Sequence, residues 1–424
     1  MRSSLALNPA DASAHGNLLF VLNYHPDKTG DEVFAEYRAY DENFCVQHRA
    51  DWRPHGNVKD PARVLKVGYV SPDFRNHSCA NFLEPLLARH DKSQVRVYAY
   101  AELLREDAAT ARYKRYVDHW VPTRGMSDAA LAERIRADGI DILVDLAGHT
   151  GGNRLGVFAR KPAPVSLSWM GYGCTTGLSA IDYFLTDTAS APLGSERFFS
   201  EQPWRLPTGW VYRPAGAAQM GEVSALPAAQ NGYVTFGTLT RAVRVNHRTV
   251  RVWAALLKRV ENSRLVIDSR SYQDSATQEE LAARFMVHGI ARERLLIGCH
   301  SPPWDVLRGI DIGLDCFPHN SGTTLFETLY MGIPYVTLAD RPSVGCLGSS
   351  ILQGIGHAEW IAQTEDEYIA KAAALAQDTA RLAQLRAGLR PAMQASALMD
   401  EAAFTRHVED AYRQMFNQWR GATV

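Results

Sequence analysis

Apolar positions along this chain follow two regimes. In the first sixty residues they recur at helical spacing, with Ala14, Leu18, Leu19 and Leu22 following the turn and cap Asn8-Pro9-Ala10-Asp11. From Leu65 onward short apolar runs alternate with amphipathic stretches. Residues 65–70, 95–100, 140–145 and 164–169 read as strands, and segments such as 129–137 between them read as helices. That alternation predicts a parallel sheet with helices on its faces. Residues 213–232 carry no period and are rich in Ala, Gly and Pro, so the pattern places an inter-domain linker there. A second series follows, with strands over 233–236, 264–268, 294–297, 312–317 and 335–338, and a helix carrying Val250, Trp253, Leu257 and Val260. Phe404, Val408, Ala411, Met415 and Trp419 mark a final helix whose apolar stripe is long enough to return to the first domain. The expected organisation is a helical segment 1–60, an α/β domain 61–215, a second α/β domain 232–400 and a C-terminal helix 401–424.

Composition narrows the class without naming the chemistry. The chain has 424 residues, 46% hydrophobic and 21% charged, which suits a soluble globular enzyme of two or three domains. No apolar run approaches the roughly 20 residues that span a bilayer, so no membrane association is expected. The start, MRSSLALNPADASAHGNLL, lacks an apolar stretch ending in a small-residue cleavage site, and a cytoplasmic location is expected. Net charge is −1, so no global field favours nucleic acid, and any phosphate binding must be local. The six cysteines show no CxxC pair and no zinc spacing, which predicts free thiols and no metal.

The richest window is IGLDCFPHNSGTTLFETLYMGIP, 312–334. It reads as strand, small-residue loop and helix start in succession. Thr323 and Thr324 fall where that helix begins, so backbone N–H groups, two hydroxyls and the positive helix end can face one phosphate. Glu327, one turn in, is placed to reach a ribose hydroxyl. The same residues equally describe an ordinary N-capped helix with a surface glutamate, and the window alone leaves both open. Neither GxGxxG nor GxxxxGK[ST] is present.

Four segments together carry a resemblance. VGYVSPDFRNHS (67–78), the run from DGIDILVDLAGHTGGNRLG to IDYFLTD (138–187), VTFGTLTRAVRVN (234–246) and FPHNSGTTLFETLYMGIPYVTL (317–338) resemble, in order, the SPINDLY and O-GlcNAc transferase family. NPADASAHGNLLF likewise resembles the closing unit of a tetratricopeptide array. The resemblance implies an α/β GT-B fold, two Rossmann-like domains facing a cleft. It also implies an inverting, metal-independent transfer from a nucleotide sugar to Ser/Thr hydroxyls of proteins. The donor the resemblance implies is of UDP-GlcNAc or GDP-fucose type, as co-substrate, with no cofactor. Carried onto this sequence, Arg244 takes the place of the lysine that contacts the diphosphate, because FGTLTRAVR stands where the family commonly reads FGSFNNLAK. Arg241 is its rival in the same loop. A planar guanidinium keeps the charge of that lysine and alters its geometry. Asn320, Ser321, Gly322, Thr323, Thr324 and Glu327 complete the donor set. His77 falls in the catalytic loop, as proton acceptor or hydrogen-bonder. His149 is expected at the acceptor or sugar pocket, and Asp145 as a buried helper orienting its loop. Trp169, Tyr172 and Tyr183 read as core rather than sugar platforms. Two other functions fit the same residues: a GT-B transferase with a small-molecule or glycan acceptor, and a nucleotide-sugar binder without turnover.

Overall fold

A computed structural model describes Leu5 and residues 8–422. The ends of the helical segment and of the C-terminal helix expected above, residues 1–4, 6, 7, 423 and 424, lie outside the described residues. The chain forms two compact units: one of residues 1–23, 28–213 and 400–424, the other of residues 24–27 and 214–399.

The first unit is built on seven parallel strands, β1 Leu65–Ser71, β2 Val95–Ala101, β3 His119–Pro122, β4 Ile142–Asp145, β5 Val165–Ser168, β6 Tyr183–Asp187 and β7 Gln202–Leu206. Their order is β3-β2-β1-β4-β5-β6-β7. The central strands are almost wholly buried, as a sheet covered by helices on both faces requires, whereas the edge strand His119–Pro122 is partly exposed. Two N-terminal helices, Ala12–Leu22 and Gly30–Phe44, pack on this unit rather than forming a separate domain. Asp11 caps the first, accepting from the Ala14 N–H at 2.9 Å, and Thr29 with Glu32 forms a capping box on the second. Asn23 fastens the hairpin by donating to the hydroxyls of Tyr37 and Tyr172, both at 2.8 Å. The C-terminal helix Glu401–Gly421 lies on the same sheet, with Phe404 against Trp169 at 5.7 Å between ring centroids and Tyr412 hydrogen-bonded to Tyr69 at 3.0 Å.

The second unit holds six parallel strands, β8 Val234–Leu239, β9 Ser263–Asp268, β10 Leu295–Gly298, β11 Ile312–Leu314, β12 Tyr335–Leu338 and β13 Ile361–Ala362, in the order β10-β9-β8-β11-β12-β13. Both sheets are therefore wound alike. Each reverses its strand order beside its own first strand, between β1 and β4 and between β8 and β11, and ligands of such sheets bind beyond the carboxyl ends of those strands.

The structure departs from the sequence pattern in three places. Strands β3, β6, β7 and β13 were not expected. They are short, and β3 and β7 carry proline at the sheet edge, so their apolar signal is weak. The strand expected over 312–317 stops at Leu314, because the Asp315 carboxylate captures the N–H groups of Cys316 and Ser321 at 2.8 Å each and turns the chain. The expected linker 213–232 is packed. It contains the turns of helix Ala217–Met220 and Pro227–Asn231, and the Ala228 N–H donates to Asp311 at 2.9 Å. Buried Arg386 holds Ser224 O at 2.8 Å and Ile310 O at 2.7 Å. Among the described residues no helix is long and apolar enough to cross a membrane.

Candidate functional site

In the second unit, the loops after β8 and β11 bring together most of the residues singled out at the sequence level. After β8 the chain makes a tight turn at Ala242–Arg244 and enters the helix His247–Arg259, capped by Asn246, which accepts from the Thr249 N–H at 3.1 Å. Asn246 also donates to Phe317 O at 2.6 Å, which joins this turn to the loop after β11. Arg244 is held where desolvation pulls its pKa down, and its buried Nε has no hydrogen-bond partner among the described residues. Its guanidinium carbon lies 5.5 Å from the centre of the Tyr24 ring. Arg241, by contrast, donates to the Tyr24 hydroxyl at 3.0 Å. A buried guanidinium N–H left without an acceptor is costly unless a ligand completes it, so Arg244, whose enclosed Nε lacks one, is the better candidate seat for an anion.

The loop after β11 is braced from within. Asp315 accepts from Cys316 N, Ser321 N and Thr337 Oγ1, all at 2.8 Å, while burial pushes its pKa up to about 7 against those bonds and the nearby Arg244. Asn320 is fully buried and its amide donates to Cys316 O at 2.8 Å while its oxygen accepts from Gly348 N at 3.1 Å. Its side chain therefore shapes the loop. Ser321 is likewise buried beneath the loop, its hydroxyl 3.3 Å from that of Thr240.

Past this brace the surface changes character. The helix Thr323–Tyr330 starts from Gly322 with no side-chain cap, and a methyl group placed on Gly322 would meet nothing within 4 Å. The first N–H groups of the helix thus open onto free space, beside the hydroxyls of Thr323 and Thr324, which bond nothing among the described residues. Glu327 has no hydrogen-bond or ion-pair partner among the described residues either, and burial alone pushes its carboxyl up to about 7. Neither half of the ordinary alternative holds: the helix is uncapped, and its glutamate is half-buried.

In the first unit, His77 lies in the loop between β1 and the helix Ala80–Arg89. Its Nδ1 accepts from the Cys79 N–H at 3.3 Å and stands 3.7 Å from the Asp73 carboxylate, which Arg75 holds at 2.9 Å. Burial lowers the pKa of the ring. With Nδ1 accepting, the neutral ring carries its proton on Nε2 and presents a donor there. Asp73, His77 and Cys79 offer one ligand atom each within 4.8 Å of one another, a grouping hidden from the sequence by its mixed residue types. The Cys79 thiol is pushed up to about 12 by burial and by Asp73.

Asp145 ends β4 and accepts from Ala147 N at 3.1 Å, Gly148 N at 2.9 Å and the Ser168 hydroxyl at 2.8 Å, fixing the start of the GHTGG loop. Gly148 turns at φ +50°, where a side chain would collide with Tyr172. The structure gives His149 a different task from the pocket role expected of it. Its ring is buried among Tyr37, Tyr40 and Tyr172, with centroids 5.6, 4.7 and 5.5 Å away, and Nε2 donates to Thr176 O at 2.7 Å. Burial holds it neutral, its pKa lowered to about 4. It joins the N-terminal hairpin to the sheet. Sequence reasoning missed Tyr24, Asp315 and His319. His319 lay inside the richest window but carried no motif weight, and Tyr24 belongs to a helical hairpin that gave no sign of reaching the second unit.

Two doubly wound parallel sheets, the second with an open helix N-terminus, an arginine whose Nε is unsatisfied and an unpaired glutamate at its switch point, make this a protein of the GT-B fold class. The glycosyl transferase family 41 pattern matches residues 13–211 and 224–408, and the chain belongs to that family. It is 34% identical to a Solanum lycopersicum protein named "Probable UDP-N-acetylglucosamine--peptide N-acetylglucosaminyltransferase SPINDLY", over 98% of this chain and 45% of the relative. A Caenorhabditis elegans UDP-N-acetylglucosamine--peptide N-acetylglucosaminyltransferase is 24% identical over 84% of this chain and 41% of its own length. The chain thus spans less than half of these relatives. A solved structure of Thermobaculum terrenum O-GlcNAc transferase, carrying a lysine-to-methionine substitution, superposes with a TM-score of 0.91 at 33% identity, covering 98% of this chain and 79% of that one.

Proposed function

We propose that this chain is a glycosyltransferase that moves a sugar, with inversion and without a metal, from a nucleoside-diphosphate sugar to Ser/Thr hydroxyls of proteins. The observation that carries this reading is Arg244, half-buried with its Nε enclosed and unsatisfied, in the same unit as the open N-terminus of the helix Thr323–Tyr330. Glycosyl transfer develops negative charge on the departing diphosphate, and preorganised donors aimed at that charge lower the barrier. Arg244, the free N–H groups and the Thr323 and Thr324 hydroxyls supply such donors from the chain itself. Glu327, unpaired and half-buried, accepts the ribose hydroxyls. His77 is the residue of the first unit assigned to the reaction, and its Nε2–H binds donor or acceptor oxygen.

The relatives' names support UDP-N-acetylglucosamine as one candidate donor and peptides as acceptors. A cytoplasmic site of action is supported by six cysteines that all remain free. Thermal unfolding with UDP, GDP and their sugars tests the reading, since a ligand that binds only the folded state raises the melting temperature. Stabilisation by one nucleotide family together with sugar release supports it. Stabilisation without turnover of any sugar would make the chain a binding member instead, and no stabilisation by either family would refute the site.

A further inference from the structure

The short segment 24–27, between the two N-terminal helices, is the only part of the hairpin that belongs to the second unit. It is well anchored there. Arg248 donates to Pro26 O at 3.2 Å, Arg341 donates to His25 O at 3.0 Å, and His247 pairs with Asp27 at 3.0 Å. These contacts set Tyr24 at the floor of the anion seat. Its ring is 4% exposed and stacks on His319, with centroids 4.3 Å apart and planes within 2°. The guanidinium carbons of Arg244 and Arg241 lie 5.5 and 6.0 Å from its centroid, and its hydroxyl accepts from Arg241 at 3.0 Å.

We infer that Tyr24 is a positioning residue for the nucleoside diphosphate: it holds Arg244 through its ring so that the guanidinium donors stay free for phosphate oxygen. The inference rests on the donor-site reading above. A cation held by an aromatic ring is stabilised without using its N–H groups, whereas a carboxylate partner would neutralise the charge and occupy the donors. The burial that lowers the Arg244 pKa makes such support necessary, because the nearest acid, Asp315, spends its oxygens on Cys316, Ser321 and Thr337. Tyr24 also separates like charges. Its hydroxyl draws Arg241 to the ring edge, and His319 beneath is held neutral by burial and by Arg244. The N-terminal hairpin thereby contributes a residue to nucleotide handling as well as packing on the first sheet.

A double-mutant cycle on the whole chain, read by calorimetric affinity for whichever of UDP and GDP binds more tightly and by the split between kcat and KM, tests this. Tyr24→Ala should weaken binding by about 2- to 30-fold and lower kcat, the range of cation–π contacts from exposed to desolvated. Tyr24→Phe, which keeps the ring and loses only the bond to Arg241, should lose clearly less than Tyr24→Ala, and Tyr24→Leu, which keeps the bulk, should behave as Tyr24→Ala if the latter folds poorly. In an Arg244→Ala background the loss on changing Tyr24 should vanish, because the coupling runs through Arg244. An equal loss in both backgrounds, or none in either, overturns the inference and leaves the donor-site reading intact. If Arg244→Ala alone leaves affinity and turnover unchanged, the donor-site reading falls and takes the inference with it.

Discussion

Changing Glu327 to Gln keeps the shape of the side chain and removes its ionisation, which separates what the glutamate costs the fold from what it gives the ligand. In the folded chain the carboxyl titrates at about 7 against an ordinary 4.5, and the sole cause is burial. A folded pKa raised above the unfolded one favours the fold fully below pH 4.5, where both states are protonated. That favour is lost as pH rises, until ionisation of the folded state is complete above pH 7. The gap corresponds to at most about 3 kcal/mol between pH 4.5 and pH 8. The Gln variant does not titrate. Denaturant unfolding should therefore show it more stable than wild type at pH 8, with the difference closing toward pH 5. Nucleotide affinity should move the other way. Losing hydrogen bonds to a charged acceptor costs about 1.5–3 kcal/mol, or roughly 10- to 150-fold in the dissociation constant for UDP or GDP. Wild-type affinity should rise with pH through about 7, because on the proposed reading it is the ionised carboxyl that accepts from the ribose hydroxyls. Parallel stability profiles for wild type and variant would refute the burial argument, and unchanged nucleotide affinity would refute the ribose assignment.

Arg244→Ala should reduce kcat by about 10²-fold or more, the scale of one lost oxyanion donor, while the denaturation midpoint changes little. A silent Arg244→Ala beside a crippling Arg241→Ala, in steady-state kinetics, would move the assignment to the neighbouring residue. His77→Ala should cut transfer by about 10²-fold or more if the ring moves a proton, with donor affinity changing less. His77→Gln distinguishes the roles: it retains much of the activity if Nε2–H acts only as a donor, and matches the alanine variant if the ring is the base. Transfer should survive EDTA unchanged, and activity abolished by EDTA and restored by magnesium or manganese would contradict a metal-independent reaction.

The sequence exposed what repeats over short spans. Both alternations of strand and helix were legible because the central strands are buried on both faces and read as unbroken apolar runs, as in Leu65–Ser71 and Val234–Leu239. The edge strands, open to water and broken by Pro122 or Pro203, left no such trace. At the candidate site, the strand, loop and helix start that hold Thr323, Thr324 and Glu327 were legible because they follow one another directly, and the turn that holds Arg244 because its loop carries a motif. Asn320 and His149 belonged to equally recognisable motifs, yet the structure turns their side chains inward, one to pin a loop and the other to join helix and sheet. A motif marks where a residue stands, and its hydrogen bonds decide which way it faces. Tyr24 could not be read at all, since its place beneath Arg244 depends on four residues of a helical hairpin packing with a distant unit of sequence.

Protein glycosyl transfer is tested by incubating the whole protein with UDP-N-acetylglucosamine or GDP-fucose, isotopically labelled in the sugar, and a mixture of Ser/Thr-containing protein acceptors, followed by mass-spectrometric location of the label. Label is expected on serine or threonine from one of these donors, with stoichiometric nucleoside diphosphate, and both should be lost with Arg244→Ala. Free labelled sugar without labelled protein, or label that is indifferent to Arg244→Ala, would contradict it.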